Sequence, residues 1–229
     1  MMNLSYRREL WLHRLMCATG GFLGAYALLC RSENLGSAQT NNLIQVVLCL
    51  LGRNLPDFLL RVSGALLYVL AIVLYSIFSK KTTLNMKRYA ITVDMIGIVF
   101  LAFLPKELNP VAGILPIFFM MATQWSVFHG VGEYNSSTIF STNNLRQFTL
   151  ATCDYVMTGE QAARKKAGFF KISLIWYHIG VAVSFFACLY FHVHASLMLL
   201  PLLGSAYVIT LNPSLLPFFK GNALVKEAK

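Results

Sequence analysis

The hexapeptide Thr40-Asn41-Asn42-Leu43-Ile44-Gln45 returns as Thr142-Asn143-Asn144-Leu145-Arg146-Gln147, with five of the six positions identical. Each copy follows a long apolar stretch and a segment rich in Gly, Ser and Asn, and each leads into a short apolar run. Thr and Asn are good helix N-caps, which explains these residue types but not why the leucine and the glutamine recur. The repeat therefore indicates an internally duplicated membrane protein whose working site lies where the two copies meet.

The composition places the chain in a lipid bilayer. Apolar residues make up 57% of it and charged residues 12%, whereas soluble domains carry about 25% charged residues. Five apolar stretches approach or exceed the ~20 residues that span a bilayer, and a sixth is shorter. We predict an all-α polytopic membrane protein, one membrane domain over residues 1–229, with spans at Leu10 to Cys30, Asp57 to Phe78, Arg88 to Leu104 (the short one), Pro110 to Gly130, Lys171 to Phe191 and His194 to Leu211.

The basic residues fix the predicted topology. With six spans and a cytoplasmic N-terminus, four basic clusters fall on the cytoplasmic side, as the positive-inside rule requires. The net charge of +10 therefore needs no nucleic-acid partner. The clusters are Arg7, Arg8 and Arg14; Lys80, Lys81, Lys87 and Arg88; Arg164, Lys165, Lys166 and Lys171; and Lys220, Lys226 and Lys229. Both termini are predicted to be cytoplasmic.

The two Thr-Asn-Asn (TNN) segments are predicted to be re-entrant, which means that each enters the membrane and leaves it on the same side. A seventh span over residues 35–51 would move the cluster at Lys80 to Arg88 outside, against the charge rule. We predict instead that the chain turns near Gln39 and leaves as a half-helix ending near Gly52, and that residues 135–153 do the same from the cytoplasm. Each half then crosses three times, so that residues 10–104 and 110–211 form two inverted three-helix repeats.

The start of a half-helix is suited to binding a polar solute. It presents unsatisfied N–H groups and the positive end of the helix dipole, and hydroxyls and carboxamides replace the hydration shell of an anion or a neutral solute. Arg146, absent from the first copy, favours small anions. The alternative is that the asparagines only brace two short helices. The predicted substrate-binding residues are Gln39, Thr40, Asn41, Asn42, Gln45, Gln124, Thr142, Asn143, Asn144, Arg146 and Gln147.

Other candidates are single residues. Asp94 is the only acidic residue well inside a span, which makes it a candidate acceptor of a coupling proton or a partner of Arg146. The alternative is that Asp94 reaches the cytoplasmic interface. Gln124 lines a cavity or makes interhelical hydrogen bonds. No metal and no cofactor is expected, because His192 and His194 do not share a helix face and the cysteines lack ligand or redox spacing. We interpret as packing residues Cys17, Cys30, Cys49, Cys153 and Cys188.

Three motifs resemble a known family. Gly21-Phe22-Leu23-Gly24-Ala25-Tyr26, Ser37-Ala38-Gln39-Thr40-Asn41-Asn42-Leu43 and Ser141-Thr142-Asn143-Asn144-Leu145 are similar to the YoaK-type family of bacterial inner-membrane proteins, a domain of unknown function. Gly24 stands where that family has an aspartate, and Asn41 replaces the glycine of its T-G-N triplet. The resemblance covers residues 10 to 215 and implies a polytopic protein of the bacterial inner membrane. It implies no substrate.

Three functions remain open at this point. The first is a transporter or channel for a small polar or anionic solute, with membrane lipids as its surroundings. The second is an intramembrane enzyme acting on a lipid-type substrate, with Asp94 and a histidine as acid and base. The third is a structural protein without transport, in the form of a homodimer held through glycine faces such as Gly20 and Gly24. A structure separates these readings by showing whether Thr40 and Thr142 approach each other.

Overall fold

The computed structural model of the protein describes residues 4–32 and 39–211. Ser37 and Ala38 of the family motif lie outside the described residues, as do the C-terminal lysines Lys220, Lys226 and Lys229. Apart from one short hairpin, formed by strands β1 (Gly130–Val131) and β2 (Tyr134–Asn135), the described regular structure is helical. The prediction of an all-α protein is therefore confirmed.

The helices follow the apolar stretches of the sequence. In the first half they are α1 (Leu4–Tyr26, continued by a π-helical turn at Ala27–Ser32), α2 (Gln39–Leu51), α3 (Leu55–Lys81) and α4 (Met86–Phe103). In the second half they are α5 (Pro110–Val127), α6 (Thr142–Thr158), α7 (Gln161–Phe191) and α8 (Leu200–Leu211), with a 3₁₀ segment (His192–Leu199) before α8. Each TNN triplet thus lies at the start of a helix.

Three helical stretches in the described part of the chain are long and apolar enough to cross a membrane. They are Leu55–Lys81, Pro110–Val127 and Gln161–Leu211. Within the last of these, α7 ends at Phe191, and His192, with a φ of 51°, breaks the helix and begins the 3₁₀ segment. The coarse prediction of a membrane protein is confirmed by these stretches.

Asparagine caps set the starts of three long helices. The Asn85 side chain accepts from the backbone N–H groups of Lys87 and Arg88, both at 3.1 Å. Asn54 and Asn109 cap α3 and α5 in the same way, and each of these two helices has a proline in its first turn. Such caps satisfy backbone donors that a helix start otherwise leaves unpaired.

Contacts at both ends show that α1 and α4 run in the same direction. Near the two helix starts, Lys87 donates to the carboxylate of Glu9. At the other end, the Arg31 guanidinium donates to the carbonyl of Pro105 at 3.0 Å, that of Leu104 at 3.3 Å and that of Leu101. We call these the Glu9 end and the Arg31 end of the bundle.

Contacts at these two ends also give the directions of the remaining long helices. α7 runs with α1, because His13 stacks on Phe169 while the Tyr26 hydroxyl donates to the carbonyl of Val193 at 2.8 Å. α5 runs against α1, because its first turns contact Arg31 and its last turn reaches Met16. α8 ends beside the start of α4, where Arg88 donates to the carbonyl of Thr210 at 2.9 Å. α3 joins α4 through a short connection and runs against it.

The two halves pack in a reciprocal pattern when their helices are paired by order. We call counterparts the pairs α1 and α5, α2 and α6, α3 and α7, and α4 and α8. α1 packs along α7, and likewise α5 packs along α3. In the same way α2 packs on α3 while α6 packs on α7, and α4 contacts α5 while α8 contacts α1. Exchanging the halves turns each of these interfaces into its counterpart. The counterpart helices run in opposite directions along the bundle.

Arg31 is expected to stabilise the Arg31 end by capping α4. Its guanidinium donates to the carbonyl of Leu101 in the last turn of α4 and to those of Leu104 and Pro105, which follow the helix. Positive charge at this end also complements the helix dipole. We expect Arg31→Ala to lower the free energy of unfolding by about 2 kcal/mol, measured by thermal unfolding of the detergent-solubilised protein. Lys106→Ala, at an exposed position nearby, is the control. Equal melting temperatures in the two variants would contradict this role.

Candidate functional site

A first polar cluster (Gln39, Asn42 and Arg61) lies at the start of α2. Asn42 is 3% exposed, and its amide nitrogen donates to the carbonyl of Arg61 at 2.9 Å and to the side-chain oxygen of Gln39 at 3.2 Å. Three buried atoms have no hydrogen-bond partner among the described residues: Asn42 Oδ1, Gln39 Nε2 and Arg61 Nε. The cluster therefore retains two free donors and one free acceptor.

A second polar cluster (His13, Gln124, Ser136, Thr138 and Asn144) lies at the start of α6. Asn144 is 1% exposed. Its amide nitrogen donates to the carbonyl of Ser137 at 2.7 Å and to that of Phe140 at 3.3 Å. Its side-chain oxygen accepts from the Ser136 hydroxyl at 3.0 Å. Asn144 therefore holds the non-helical segment that precedes α6.

The hydrogen bonds of Ser136 determine which nitrogen of His13 carries the proton. The single hydroxyl proton of Ser136 is donated to Asn144, so the 3.0 Å contact between His13 Nε2 and Ser136 Oγ requires an N–H on Nε2. In the neutral imidazole, Nδ1 of His13 is then a buried acceptor without a hydrogen-bond partner among the described residues. His13 itself is 2% exposed.

Gln124 connects the same cluster to two helices. Its side-chain nitrogen donates to the carbonyl of Met16 at 2.8 Å and to the hydroxyl of Thr138 at 3.0 Å. Its side-chain oxygen is buried and has no partner within the described ranges. Gln124 therefore makes an interhelical hydrogen bond, which was one of the two roles predicted for it, and its side-chain oxygen is also a free acceptor.

The segment before α6 has irregular backbone buried inside the bundle. Ser136, Thr138 and Ile139 are fully buried. The carbonyl of Thr138 lies so close to Gly20 of α1 that a Cβ at this glycine would overlap it. Irregular backbone at membrane depth is found where it is buried in protein or lines a cavity, so its position here agrees with a membrane location for this segment.

The other predicted site residues lie outside the two clusters. Thr40, Thr142, Asn143 and Arg146 are exposed, and half-buried positions are taken by Asn41, Gln45 and Gln147. α2 packs on α3 and α6 packs on α7, and an interface between α2 and α6 is not among the helix pairs that pack in the described chain. The first cluster lies toward the Arg31 end, where α3 begins, and the second lies toward the Glu9 end, beside His13.

Four members of these clusters were missed at the sequence level: His13, Arg61, Ser136 and Thr138. Two signals for them exist in the sequence. Asn135-Ser136-Ser137-Thr138 is a polar run shortly before the second TNN copy, and Arg61 and His13 are ionisable residues within apolar stretches. Such residues mark candidate functional positions in a membrane protein.

Asp94 is isolated in the core. It is 0% exposed on the buried face of α4, and neither carboxylate oxygen has a hydrogen-bond partner among the described residues. Arg146, its predicted partner, is exposed on α6, and the two make no ion pair in the described structure. Asp94 also lies six residues beyond Arg88, or about 9 Å along the helix, so it is inside the bundle.

Two apolar grooves open at corresponding positions of the two halves. One, of about 610 Å³, lies between α3, α4 and α5 and includes Leu67, Gly97, Phe100 and Phe119. The other, of about 370 Å³, lies between α7, α8 and α1 and includes Phe22, Gly180, Val183 and Leu202. Neither contains a residue of the polar clusters. In the described part of the chain, no group of three or more His, Cys, Asp or Glu side chains is arranged to hold a metal ion.

The helices and the buried polar clusters define an α-helical protein of membrane-like architecture. The family model described as "Protein of unknown function (DUF1275)" matches residues 12–211, so the chain belongs to this family of unknown function. The resemblance seen in the sequence motifs is thereby confirmed. No curated protein and no solved structure matches the chain.

Proposed function

We propose that the protein is a six-span transporter or channel for a small polar or anionic solute, located in the bacterial inner membrane with both termini in the cytoplasm. In this proposal residues 10–104 and 110–211 are two inverted repeats. The reciprocal packing of the halves, with counterpart helices in opposite directions, supports the inversion. Inverted repeats and polar sites at broken helices recur in secondary transporters.

The length and position of α2 support its assignment as re-entrant. Its 13 residues extend about 20 Å, less than the ~30 Å hydrocarbon core. The start of α2 lies beside Arg61, which is roughly 9 Å along α3 from the first residue of that helix. The end of α2 lies at the turn that leads into the first residue of α3. α2 therefore enters and leaves on one side of the proposed membrane. α6 has the same relation to α7 from the other side.

The observation that carries the proposal is the set of incompletely paired polar atoms at the starts of α2 and α6. A buried polar atom without a partner costs about 1–3 kcal/mol, so an apolar bundle gains nothing from such atoms unless they serve a function. In the first cluster the free donors of Arg61 and Gln39 lie beside the positive end of α2, which favours an anion or a neutral hydrogen-bond acceptor. In the second cluster Gln124 and His13 offer acceptors.

The two clusters act as successive positions on one path in this proposal. They lie toward opposite ends of the bundle, so each is suited to exchange solute with its own side. Asp94 lies on α4, which packs against helices of the second half, and it would bind a coupling proton. Movement of one half against the other would then open each cluster in turn to its own side of the membrane.

Flux through proteoliposomes tests this function. The wild-type protein is expected to exchange at least one member of a panel of chloride, nitrate, formate, urea and glycerol faster than protein-free vesicles. Asn42→Ala and Asn144→Ala are expected to reduce this flux at least about tenfold, since each removes the residue that organises its cluster. Thr40→Ala and Asn143→Ala, at exposed neighbouring positions, are the controls. Flux equal to that of empty vesicles for every solute would reject the proposal.

A further inference from the structure

Two cysteines that are distant in the sequence meet at the Arg31 end. Cys30 lies in the π-helical turn that follows α1, and Cys188 lies in the last turn of α7. Both are free cysteines in the structure, and their side chains are neighbours. The Cys30 thiol also donates to the carbonyl of His192 at 3.4 Å, and the backbone N–H of His192 in turn bonds to the carbonyl of Cys188.

Neighbouring contacts hold both cysteines in place. Four residues before Cys30, the Tyr26 hydroxyl donates to the carbonyl of Val193, just beyond the end of α7. On the other side, Arg31 is fixed by the carbonyls at the end of α4. The backbone segments that carry the two cysteines are therefore held at the same end of the bundle. Disulfide formation needs cysteines at short range and with little backbone movement.

The two cysteines differ in accessibility. Cys188 is 7% exposed, whereas Cys30 is half-buried and open to a reagent at this end of the bundle. Among the other three, Cys17 is fully buried on α1, and Cys49 and Cys153 lie on α2 and α6. α2 and α6 are not packed against each other in the described chain.

We propose that Cys30 and Cys188 form a disulfide that ties the end of α1 to the end of α7. The proposal rests on the topology of the proposed function, which places the Arg31 end outside the cytoplasm, where disulfides persist. The bond would join a helix of the first half to a helix of the second. It would therefore restrict movement between the halves at this end.

The oxidant is the disulfide of an extracytoplasmic thiol–disulfide oxidoreductase. The Cys30 thiolate attacks one sulfur of that disulfide, forms a mixed disulfide and displaces the other sulfur as a thiolate. The Cys188 thiolate then attacks the Cys30 sulfur and displaces the second thiolate. The two cysteines lose two protons and two electrons in total, and the oxidant is reduced to its dithiol.

Counting free thiols in membranes tests the disulfide. Cells expressing the full chain are quenched in acid, and free thiols are alkylated with a maleimide mass tag before and after reduction. Of the five cysteines, the wild type is expected to label at three without reduction and at five after it. A peptide pair linked through Cys30 and Cys188 is expected by mass spectrometry. Labelling of all five without reduction, or a bond between other cysteines, would overturn the proposal.

Matched variants make the result specific. Cys30→Ser is expected to label at four positions without reduction, since Cys188 is released, whereas Cys49→Ser is expected to label at two and to keep the bond. Reduction is expected to lower the melting temperature of the wild type by about 5 °C or more and that of Cys30→Ser by none. The wild-type measurement stands even if a variant does not fold. An equal effect of reduction on both proteins would count against the disulfide.

The outcome is separable from that of the transport test. Solute flux with five free thiols would reject the disulfide and retain the transporter. The disulfide without flux of any solute would reject the transporter and retain the bond. In intact cells, a membrane-impermeant maleimide is expected to label Cys30 in the Cys188→Ser variant. Labelling only after the cells are opened would reject the topology on which the disulfide rests.

Discussion

Gly180→Ala is expected to lower the free energy of unfolding by roughly 3 kcal/mol, whereas Gly168→Ala on the same helix is expected to leave it unchanged or slightly higher. Gly180 of α7 packs directly against the backbone carbonyl of Ala18 in α1, and a Cβ would overlap this carbonyl. A carbonyl within a helix cannot rotate away, as the end of a flexible side chain can. The two helices would therefore have to separate.

The interface between α1 and α7 depends on such contacts from both sides. Gly21 of α1 packs against the backbone carbonyl of Tyr177 in the same way that Gly180 packs against Ala18. In a bilayer, helices associate through close packing of small residues because lipid offers no hydrophobic drive for association. The loss of one such contact is therefore expected to affect the whole interface.

Thermal unfolding in detergent measures this effect. Gly168 is the control because nothing lies within 4 Å of the Cβ that alanine would add there, and alanine is the better helix former by about 1 kcal/mol. The melting temperature of Gly180→Ala is expected to fall by about 6 °C or more. If Gly168→Ala and Gly180→Ala melt together, the close approach of α1 and α7 is not as described.

Some helix boundaries are predictable because their signals are local, whereas α1 and α7 begin at Leu4 and Gln161, well before the predicted Leu10 and Lys171. The predicted half-helix ends near Gly52 and the next predicted span begins at Asp57, and α2 ends at Leu51 while α3 begins at Leu55. The two TNN triplets were expected to start helices and do so. Caps and prolines act within a few residues, so that a single sequence shows their effect.

The composition of the clusters was only partly predictable. Asn42 and Asn144 were selected from the repeat, and each organises a cluster. The bond between His13 and Ser136 joins residues far apart in the chain, and it depends on how the segment before α6 enters the bundle. Whether α2 and α6 meet is likewise decided by packing on α3 and α7, which local sequence patterns do not report.

Asp94→Leu is expected to raise the free energy of unfolding by about 1–3 kcal/mol, although it removes a residue at the centre of the protein. Asp94 is fully buried and neither of its oxygens has a hydrogen-bond partner among the described residues. Leucine has the same number of side-chain heavy atoms in the same branched arrangement, and it carries no polar atoms to desolvate. Asp94→Asn keeps a buried polar group, so we expect its stability to stay close to that of the wild type.

The same substitution is expected to abolish coupling to a proton gradient. In the proposed function Asp94 is the residue that binds the coupling proton, and neither leucine nor asparagine titrates. Melting temperature in detergent, and solute flux in proteoliposomes with and without an imposed pH gradient, measure the two effects together. Asp154→Leu, at an exposed position on α6, is the control and is expected to change neither the melting temperature nor the coupled flux by much.

A gain in stability with loss of coupling would show that the protein retains an unpaired acid at a cost in stability because its function needs it. A loss of stability in Asp94→Leu would instead show that this carboxylate has a structural partner.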